Sequence, residues 1–264
     1  DHPDYYTSID DVFTAFQSMA NQVKKAIFAY GDDAYLRKLE ADVPIYYYGV
    51  SEDDDIQARN IERTTTGSAF DVYHKDEFVG HFTVPAFGKH NILNALGVIA
   101  VAYFEKLDQE EVAKELLTFP GVKRRFSEKI VADMTVVDDY AHHPTEIEAT
   151  LHAAKNYPHQ KVWCVFQPHT YTRTKALFPE FVNALTHADH VILADIYAAR
   201  ETDTLGMSSE MIAEELKKKG CDAYYFPSFE EIESFCLDRC QKGDVLITMG
   251  AGNVVNIGEN LLTH

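Results

Sequence analysis

The strongest constraint on the fold is a regular alternation of short apolar runs and amphipathic stretches in the second half of the chain. Predicted strands, rich in valine, isoleucine and aromatic residues, lie at 130–137, 162–166, 191–196, 223–226 and 245–249. Predicted helices lie between them at 144–154, 173–185, 208–219 and 229–239, with a last one after Asn253. Runs as apolar as 162–166 are expected where helices cover both faces of a parallel sheet. The pattern therefore predicts a doubly wound, Rossmann-like α/β domain.

The first half of the chain follows a different pattern. A predicted helix from about Ile9 to Lys24 precedes two apolar runs, at 26–30 and 44–49, that indicate a further parallel sheet. From 56 to 84, β-branched and aromatic residues alternate with polar ones, which predicts a small antiparallel meander on the surface of that sheet.

Two more predicted helices, at 92–104 and 110–117, precede Pro120-Gly121. Because Pro-Gly breaks a helix and starts a new pattern, we place the domain boundary there. The sequence predicts one domain over 1–119 and a second over 120–264.

Charge and cysteine content exclude several classes of partner. The 264 residues include 24 Lys and Arg against 42 Asp and Glu, a net charge of −18, which argues against nucleic acid and anionic membrane surfaces. We also expect no membrane insertion, because no apolar stretch approaches about 20 residues. The four cysteines are scattered, so the default expectation is a reducing, cytoplasmic location.

Polar side chains are concentrated where the predicted strands of the second half end. The first is followed by Asp138-Asp-Tyr-Ala-His-His-Pro-Thr-Glu146, in which His143 or Thr145 is suited to cap a helix starting near Pro144. The plain alternative is a capped helix with a solvated acidic turn. Ligands of such sheets bind at the carboxyl ends of the strands, so the cluster favours a binding site.

The other strands end in polar groups at the same edge. Gln167-Pro-His-Thr-Tyr-Thr-Arg-Thr174 places Arg173 at a helix start, where a cation is unfavourable unless an anion binds or a nearby aspartate pairs with it. Asp195-Ile-Tyr-Ala-Ala-Arg-Glu201 and Met249-Gly-Ala-Gly-Asn253 follow two further strands. The glycines of the last segment let backbone amides approach a ligand.

Two further groups of polar residues precede or span the predicted boundary. Asn91 and Asn94 share a helix face and can cap the helix or bind a heterocycle. Lys123, Arg124 and Arg125 place three cations at a predicted hinge, which suits phosphate or a plain solvated linker.

Together these motifs, with Gly121-Val-Lys-Arg-Arg-Phe126 and His90-Asn-Ile-Leu-Asn94, resemble the Mur ligases of peptidoglycan synthesis along essentially the whole chain. Within that family they look like the members that join L-alanine to UDP-N-acetylmuramic acid. The resemblance implies ATP and Mg²⁺ as cofactors, an acyl phosphate intermediate, and catalysis by positioned cations and metal.

The resemblance also implies roles for individual residues. His2 matches the histidine that binds magnesium, Asn91 and Asn94 match the pair near adenine, and Asp139 matches the aspartate at the ribose. Arg125 matches the arginine that reaches the nucleotide phosphates, and with His142 it is the catalytic candidate. Tyr140, His142 and Arg173 match positions around alanine, with Arg173 suited to its carboxylate.

The chain departs from the family pattern in three respects. Thr170 and Asn253 stand where arginine and aspartate are frequent, and no G-x-x-x-x-G-K-[ST] phosphate loop occurs. We therefore expect part of the central ATPase domain followed by a complete C-terminal amino-acid domain, without the UDP-sugar-binding domain. A chain with only these domains is expected to have no ligase activity alone.

Three alternatives remain open. A ligase that recycles murein tripeptide shares the Asp-Asp-aromatic-Ala-His-His-Pro turn. A non-catalytic α/β module could bind a nucleotide or an amino acid. A metal-dependent hydrolase could use Asp138, Asp139, His142 and His143, although adjacent histidines rarely ligate one metal. The sequence leaves the oligomeric state open.

Overall fold

A computed structural model describes residues 5–64, 66–119, 121, 127–131 and 134–262. The chain divides into two compact units, one over Tyr6–Pro120 and one over Gly121–His264, and Tyr5 is grouped with the second. We call them the N-terminal and the C-terminal unit. None of the helices in the described part of the chain combines the length and the apolarity needed to cross a bilayer.

The N-terminal unit is built on a mixed five-stranded sheet. Across the sheet the strands are β1 (Ile27–Tyr30), β2 (Ile45–Gly49), β3 (Ile56–Arg63), β4 (Ser68–His74) and β5 (Glu77–Val84). The first three strands pair in parallel, and β3, β4 and β5 pair antiparallel. The helices of this unit are α1 (Ile9–Ala20), α2 (Lys89–Phe104) and α3 (Gln109–Thr118), with a short 3₁₀ turn at Leu36–Lys38.

Two expectations for the N-terminal unit need correction. The meander does not lie on the surface of the parallel sheet, because Tyr48 of β2 pairs with Ile56 of β3 and makes it a continuation of the same sheet. Helix α1 ends at Ala20 instead of near Lys24. Its last turn tightens after Ala20, since the backbone N–H groups of Gln22 and Val23 bond three residues back.

The apolar helix α2 is packed against this sheet. Ile92, Leu96 and Ile99 of α2 share one buried cluster with Phe70 and Phe82 of the hairpin strands. The first two turns of α2, which carry the predicted adenine residues, are thereby held against a packed core.

The C-terminal unit has a six-stranded sheet in the order β10-β9-β8-β11-β7-β6. Its strands are β6 (Ser127–Val131), β7 (Met134–Asp139), β8 (Val162–Phe166), β9 (His190–Leu193), β10 (Asp222–Tyr225) and β11 (Val245–Met249). All neighbours are parallel except β6 and β7. The helices are α4 (Pro144–Ala154), α5 (Tyr171–Ala176), α6 (Phe178–Leu185), α7 (Ser209–Lys218), α8 (Phe229–Arg239) and α9 (Val255–Leu261).

Helices cover both faces of this sheet, as predicted. Val137 faces a cluster containing Ile147 of α4, whereas its neighbour Val136 faces one containing Ile232 of α8 and Ile257 of α9. Successive residues of a strand point to opposite faces, so both faces must be apolar. This confirms the doubly wound fold class.

Three predicted elements of the C-terminal unit differ from the observed ones by more than a residue at an end. The run at 130–137 is split between two strands, since Val131 pairs with Met134 in the antiparallel β6–β7 hairpin. The helix at 173–185 is two helices that meet at Leu177, because Pro179 lacks an N–H and suits the first turn of a new helix. Strand β9 ends at Leu193, three residues earlier than expected.

A buried carboxylate joins the amino ends of β8 and β11. Asp244 is 3% exposed, and its side chain accepts hydrogen bonds from Trp163 Nε1 at 3.0 Å, Gln241 N at 2.9 Å and Lys161 N at 3.2 Å. One side chain therefore satisfies three donors from two segments that are far apart in sequence.

Replacing this carboxylate should destabilise the C-terminal unit. An Asp244→Asn change turns one acceptor oxygen into a donor and leaves a buried N–H unsatisfied, which costs about 2 kcal/mol. Urea unfolding followed by the fluorescence of Trp163, the single tryptophan, measures this unit selectively. Asp238→Asn is the matched control because Asp238 is exposed, and equal midpoints for the two variants would contradict the expectation.

Candidate functional site

The turn after β7 is fastened to the turn after β11. Asp139, the last residue of β7, is 5% exposed, and its Oδ1 accepts a hydrogen bond from Ala141 N at 2.8 Å. Its carbonyl oxygen accepts one from Gly250 N at 3.0 Å. The carboxylate predicted to meet a ribose therefore has a fixed backbone position.

Helix α4 starts with a capping box. His143 Nδ1 accepts a hydrogen bond from Thr145 N at 3.3 Å, so His143 and not Thr145 is the cap. Glu146 Oε2 accepts from the backbone N–H of His142 at 3.0 Å and of His143 at 3.2 Å. Burial lowers the pKa of His143, and its acceptor role requires the neutral ring.

Tyr140 and His142 are neighbours at this edge of the sheet. His142 Nδ1 lies 3.0 Å from the carbonyl oxygen of Tyr140, and the two rings meet edge to face with centroids 5.4 Å apart. The ring of His142 is 6.1 Å from that of His169, which follows β8. The turns after β7 and β8 thus place two imidazoles side by side.

The turn after β8 ends in a strained cap. Thr170 has a φ of 66°, and its hydroxyl accepts a hydrogen bond from Arg173 N at 3.4 Å at the start of α5. Its own N–H donates to the carbonyl oxygen of Tyr197 at 2.9 Å. The side chain of Thr170, which departs from the family pattern, therefore has a local structural role.

Arg173 is a buried cation in this group of side chains. It is 5% exposed, and Nη1 lies 3.1 Å from His169 Nδ1. Burial lowers the pKa of His169, and the positive charges of Arg173 and His142 lower it further. The ring of His169 also stacks on Tyr197, with centroids 5.5 Å apart. His169 therefore acts as a neutral acceptor that orients the guanidinium.

The sequence did not predict the contact that fixes the start of α5. Glu201 Oε2, beyond β9, accepts hydrogen bonds from the backbone N–H groups of Tyr171 and of Thr172, the latter at 3.0 Å. A carboxylate at a helix N-terminus compensates the positive end of the helix dipole. The only sequence signal was that Glu201 follows a strand of the same sheet.

Neighbouring atoms lie so close to the backbone at two positions after β11 that only glycine fits there. A Cβ on Gly250 would lie 2.7 Å from the carbonyl oxygen of Gln167, and one on Gly252 would lie 2.8 Å from the ring of Tyr197. Gln167 also donates from Nε2 to Asn253 Oδ1 at 3.0 Å. Asn253, the second departure from the family pattern, thus connects the turns after β8 and β11.

The predicted adenine residues lie in the N-terminal unit. Asn91 is in the first turn of α2, and its Nδ2 donates to the carbonyl oxygen of Phe87 at 2.8 Å. Asn94 lies on the same helix three residues later and is exposed. Gly88, with a φ of 98°, caps the helix, so neither asparagine is its N-cap.

The structure brings four predicted residues to one edge of the C-terminal sheet: Asp139, Tyr140, His142 and Arg173. The metal candidate His2 and the phosphate candidate Arg125, with its neighbours Lys123 and Arg124, lie outside the described residues. Their roles stay predictions.

A cavity of about 850 Å³ opens at the opposite edge of this sheet. Its lining includes Trp163, His190, Asp222 and Tyr224, which lie at or near the amino ends of their strands. The ring of His190 stacks on Trp163 at 3.9 Å. The sequence predicted no role for these residues.

Two family models match successive parts of the chain. The Mur ligase middle domain matches residues 1–102, and the glutamate ligase domain of the Mur ligases matches residues 124–252. With the folds described above, these matches define an α/β chain with the middle and C-terminal domains of the Mur ligases. The chain belongs to the Mur ligase family.

Several similar relatives carry one name. The UDP-N-acetylmuramate–L-alanine ligase of Levilactobacillus brevis is 53% identical over 269 residues, covering 100% of this chain and 59% of the relative. That of Lactococcus lactis subsp. lactis is 56% identical over 256 residues, covering 96% and 56%. The crystal structure of the Thermotoga maritima enzyme is 26% identical with a TM-score of 0.80, covering 100% of this chain and 56% of that one. The chain thus spans less than two thirds of the length of these relatives.

The contact between Arg173 and His169 predicts a measurable titration. The pKa of His169 should lie below the ordinary value of about 6.5, and Arg173→Met should raise it because a nearby positive charge is removed. NMR titration of the histidine ring protons measures both values. The pKa of His169 is lower in the folded state than in the unfolded state. The contribution of His169 to the free energy of unfolding is therefore complete above about pH 6.5, and it is lost as the pH falls through the folded-state pKa.

Two variants control for loss of structure. Arg173→Lys retains the charge and should keep the pKa of His169 low. Lys175→Met removes an exposed cation two residues away and should leave it unchanged. An unchanged or lower pKa in Arg173→Met would show that the guanidinium does not act on this ring.

Proposed function

We propose that this chain is part of an ATP-dependent ligase that joins L-alanine to UDP-N-acetylmuramic acid in peptidoglycan synthesis. The observation that carries the proposal is the buried Arg173 beside His169, at the carboxyl edge where doubly wound sheets bind their ligands. The names of the relatives support the same substrates.

The chemistry of Arg173 suits the carboxylate of an amino acid. A guanidinium has five N–H donors in a planar fork, which matches two carboxylate oxygens. His169 accepts one of these donors and limits rotation of the side chain. Burial strengthens the attraction, because the charge is little screened by water. In this proposal Arg173 binds the carboxylate of L-alanine and directs its amine toward the reaction centre.

Tyr140 and His142 lie beside this position and complete the proposed alanine site. Their rings are in edge-to-face contact, and in this proposal they line the position of the alanine side chain and amine. His142 Nδ1 lies against the Tyr140 carbonyl oxygen, which fixes the orientation of the imidazole ring. We propose that His142 contributes to catalysis by orienting the attacking amine.

The family resemblance supports the proposed nucleotide-binding residues. Asn91 and Asn94 carry paired donors and acceptors of the kind that bind adenine, and Asp139 offers a carboxylate to the ribose hydroxyls. Arg125 is proposed for the phosphates, with Lys123 and Arg124 adding positive charge. Bound ATP with Mg²⁺ supplies the phosphoryl group. His2, the proposed magnesium residue, lies outside the described residues, and we derive no step through the metal.

The proposed reaction balances without a nucleophilic side chain. The muramoyl carboxylate attacks the γ-phosphate of ATP, which releases ADP and forms an acyl phosphate. The alanine amine then attacks the acyl carbon, loses a proton, and phosphate leaves with the bonding electrons. Both steps gain from positioned cations, because negative charge develops on oxygen in each.

We propose the cytoplasm as the location, in keeping with four free thiols.

Arg173 can be tested in the complete enzyme. Arg173→Met should raise the KM for L-alanine about 10- to 100-fold, because a charge-assisted hydrogen bond contributes about 1.5–3 kcal/mol. The KM for ATP should stay unchanged. Lys175→Met is the matched control, and Arg173→Lys should recover part of the alanine affinity. An unchanged alanine KM in Arg173→Met would refute this role.

A polypeptide of these 264 residues alone should not catalyse the ligation, because no phosphate-loop sequence occurs in it. Alanine-dependent phosphate release from that polypeptide would contradict this expectation.

Assaying the complete protein with L-alanine and with a murein tripeptide distinguishes the proposed substrate from that of the recycling ligase. Turnover of the tripeptide in preference to alanine would favour the alternative.

A further inference from the structure

A second group of metal-ligating side chains lies on the surface of the C-terminal unit. Glu148 and His152 are one helical turn apart on α4, and His187 follows the end of α6. One ligand atom from each of the three lies within 4.8 Å of the others. His187 Nε2 is 3.5 Å from Glu148 Oε1, and the two imidazole rings have centroids 4.4 Å apart. In the described part of the chain, this is the one group of three such residues that meets these limits.

The hydrophobic core holds the backbones of these residues in place. Ile147 and Leu151, next to Glu148 and His152 on α4, are fully buried in the same cluster as Leu185 of α6. The positions that carry the three ligands are therefore fixed by packing, and only their side chains need to move. Tetrahedral zinc with Zn–N bonds of about 2.0–2.1 Å has ligand atoms about 3.3 Å apart, so small rotations close the present spacing.

The donor set selects a class of metal. Two imidazoles and one carboxylate, with a fourth position for water, are a common ligand set for zinc and suit related transition metals. Magnesium and calcium prefer sites built from oxygen ligands. The carboxylate and histidine at i and i+4 lie on one helix face, which is the spacing that lets a helix supply two ligands.

We propose that Glu148, His152 and His187 form a binding site for a zinc-class transition metal. The bound ion bridges α4 to the turn between α6 and β9, two segments that also pack through apolar side chains. Since the ion binds the folded arrangement of ligands, it stabilises the C-terminal unit. The site is separate from the proposed ligase centre, because its ligands lie on the middle and later turns of α4 and not at the start of the helix.

Metal binding tests the proposal directly. We expect the metal-free 264-residue chain to bind Co²⁺ with the visible absorption bands of tetrahedral coordination, and to bind Zn²⁺ in competition with it. His152→Asn and His187→Asn should each weaken Zn²⁺ binding at least about tenfold, since each removes a ligand. Glu148→Gln should also weaken it.

His81→Asn is the matched control. His81 is an exposed histidine with a carboxylate partner, Asp71, at 2.8 Å, but it belongs to a pair and not to a group of three. This variant should bind Zn²⁺ as the unmodified chain does. Affinities within twofold of each other for all the variants, or no binding to the unmodified chain below millimolar Zn²⁺, would overturn the proposal.

Thermal unfolding provides a second readout that does not depend on ligase activity. Zn²⁺ should raise the unfolding midpoint of the unmodified chain and of His81→Asn, and should raise it much less in His152→Asn and His187→Asn. Mg²⁺ at the same concentration should give no comparable difference between these proteins. Equal Zn²⁺ stabilisation of all four proteins would mean that the ion binds elsewhere.

Discussion

The parallel pairing of β11 between β7 and β8 is the constraint on which the proposed site depends. Met249 at the end of β11 lies level with Asp139 of β7 and Phe166 of β8, so three turns begin at the same height on one edge of the sheet. The backbone bond from Gly250 to Asp139 and the side-chain bond from Gln167 to Asn253 then tie these turns together. Apolar burial on both faces sets the register, and the register sets which polar residues meet.

The electrostatic properties of this edge of the sheet depend on the burial of its charged groups as much as on the net charge of the chain. The chain carries a net charge of −18, yet this edge holds the buried cation Arg173 beside a half-buried histidine, His169, whose pKa is lowered. A guanidinium held by a neutral imidazole presents a fixed positive charge without a proton that titrates near pH 7. Glu201 occupies backbone donors at the start of α5, which is consistent with the proposal that a substrate carboxylate binds the side chain of Arg173.

Local sequence patterns correctly predicted those elements whose bounds depend on residues close together in the sequence. Strands β8 and β11 have the predicted bounds, because each is a short apolar run ended by glycine, proline or polar residues. The start of α4 at Pro144 was predicted for a similar reason. The division between α5 and α6 was missed although Pro179 signals it, because the apolar periodicity continues across it.

The contacts that were missed join residues far apart in the chain. Glu201 reaches the start of α5 across about thirty residues, and Gln167 reaches Asn253 across more than eighty, separations that no local pattern encodes. The grouping of Glu148 and His152 with His187 depends in the same way on the packing of α4 against α6. The residue roles implied by family resemblance remain predictions, including those of His2 and Arg125.

The position of bound L-alanine tests the central proposal most directly. A crystal structure of the complete protein with L-alanine, UDP-N-acetylmuramic acid and a non-hydrolysable ATP analogue would show it. We predict that the alanine carboxylate lies within about 2.7–3.2 Å of the Arg173 guanidinium, at the carboxyl edge of β7 and β8. An alanine carboxylate bound by other residues, with the Arg173 guanidinium remaining against His169 and away from the substrate, would contradict the account.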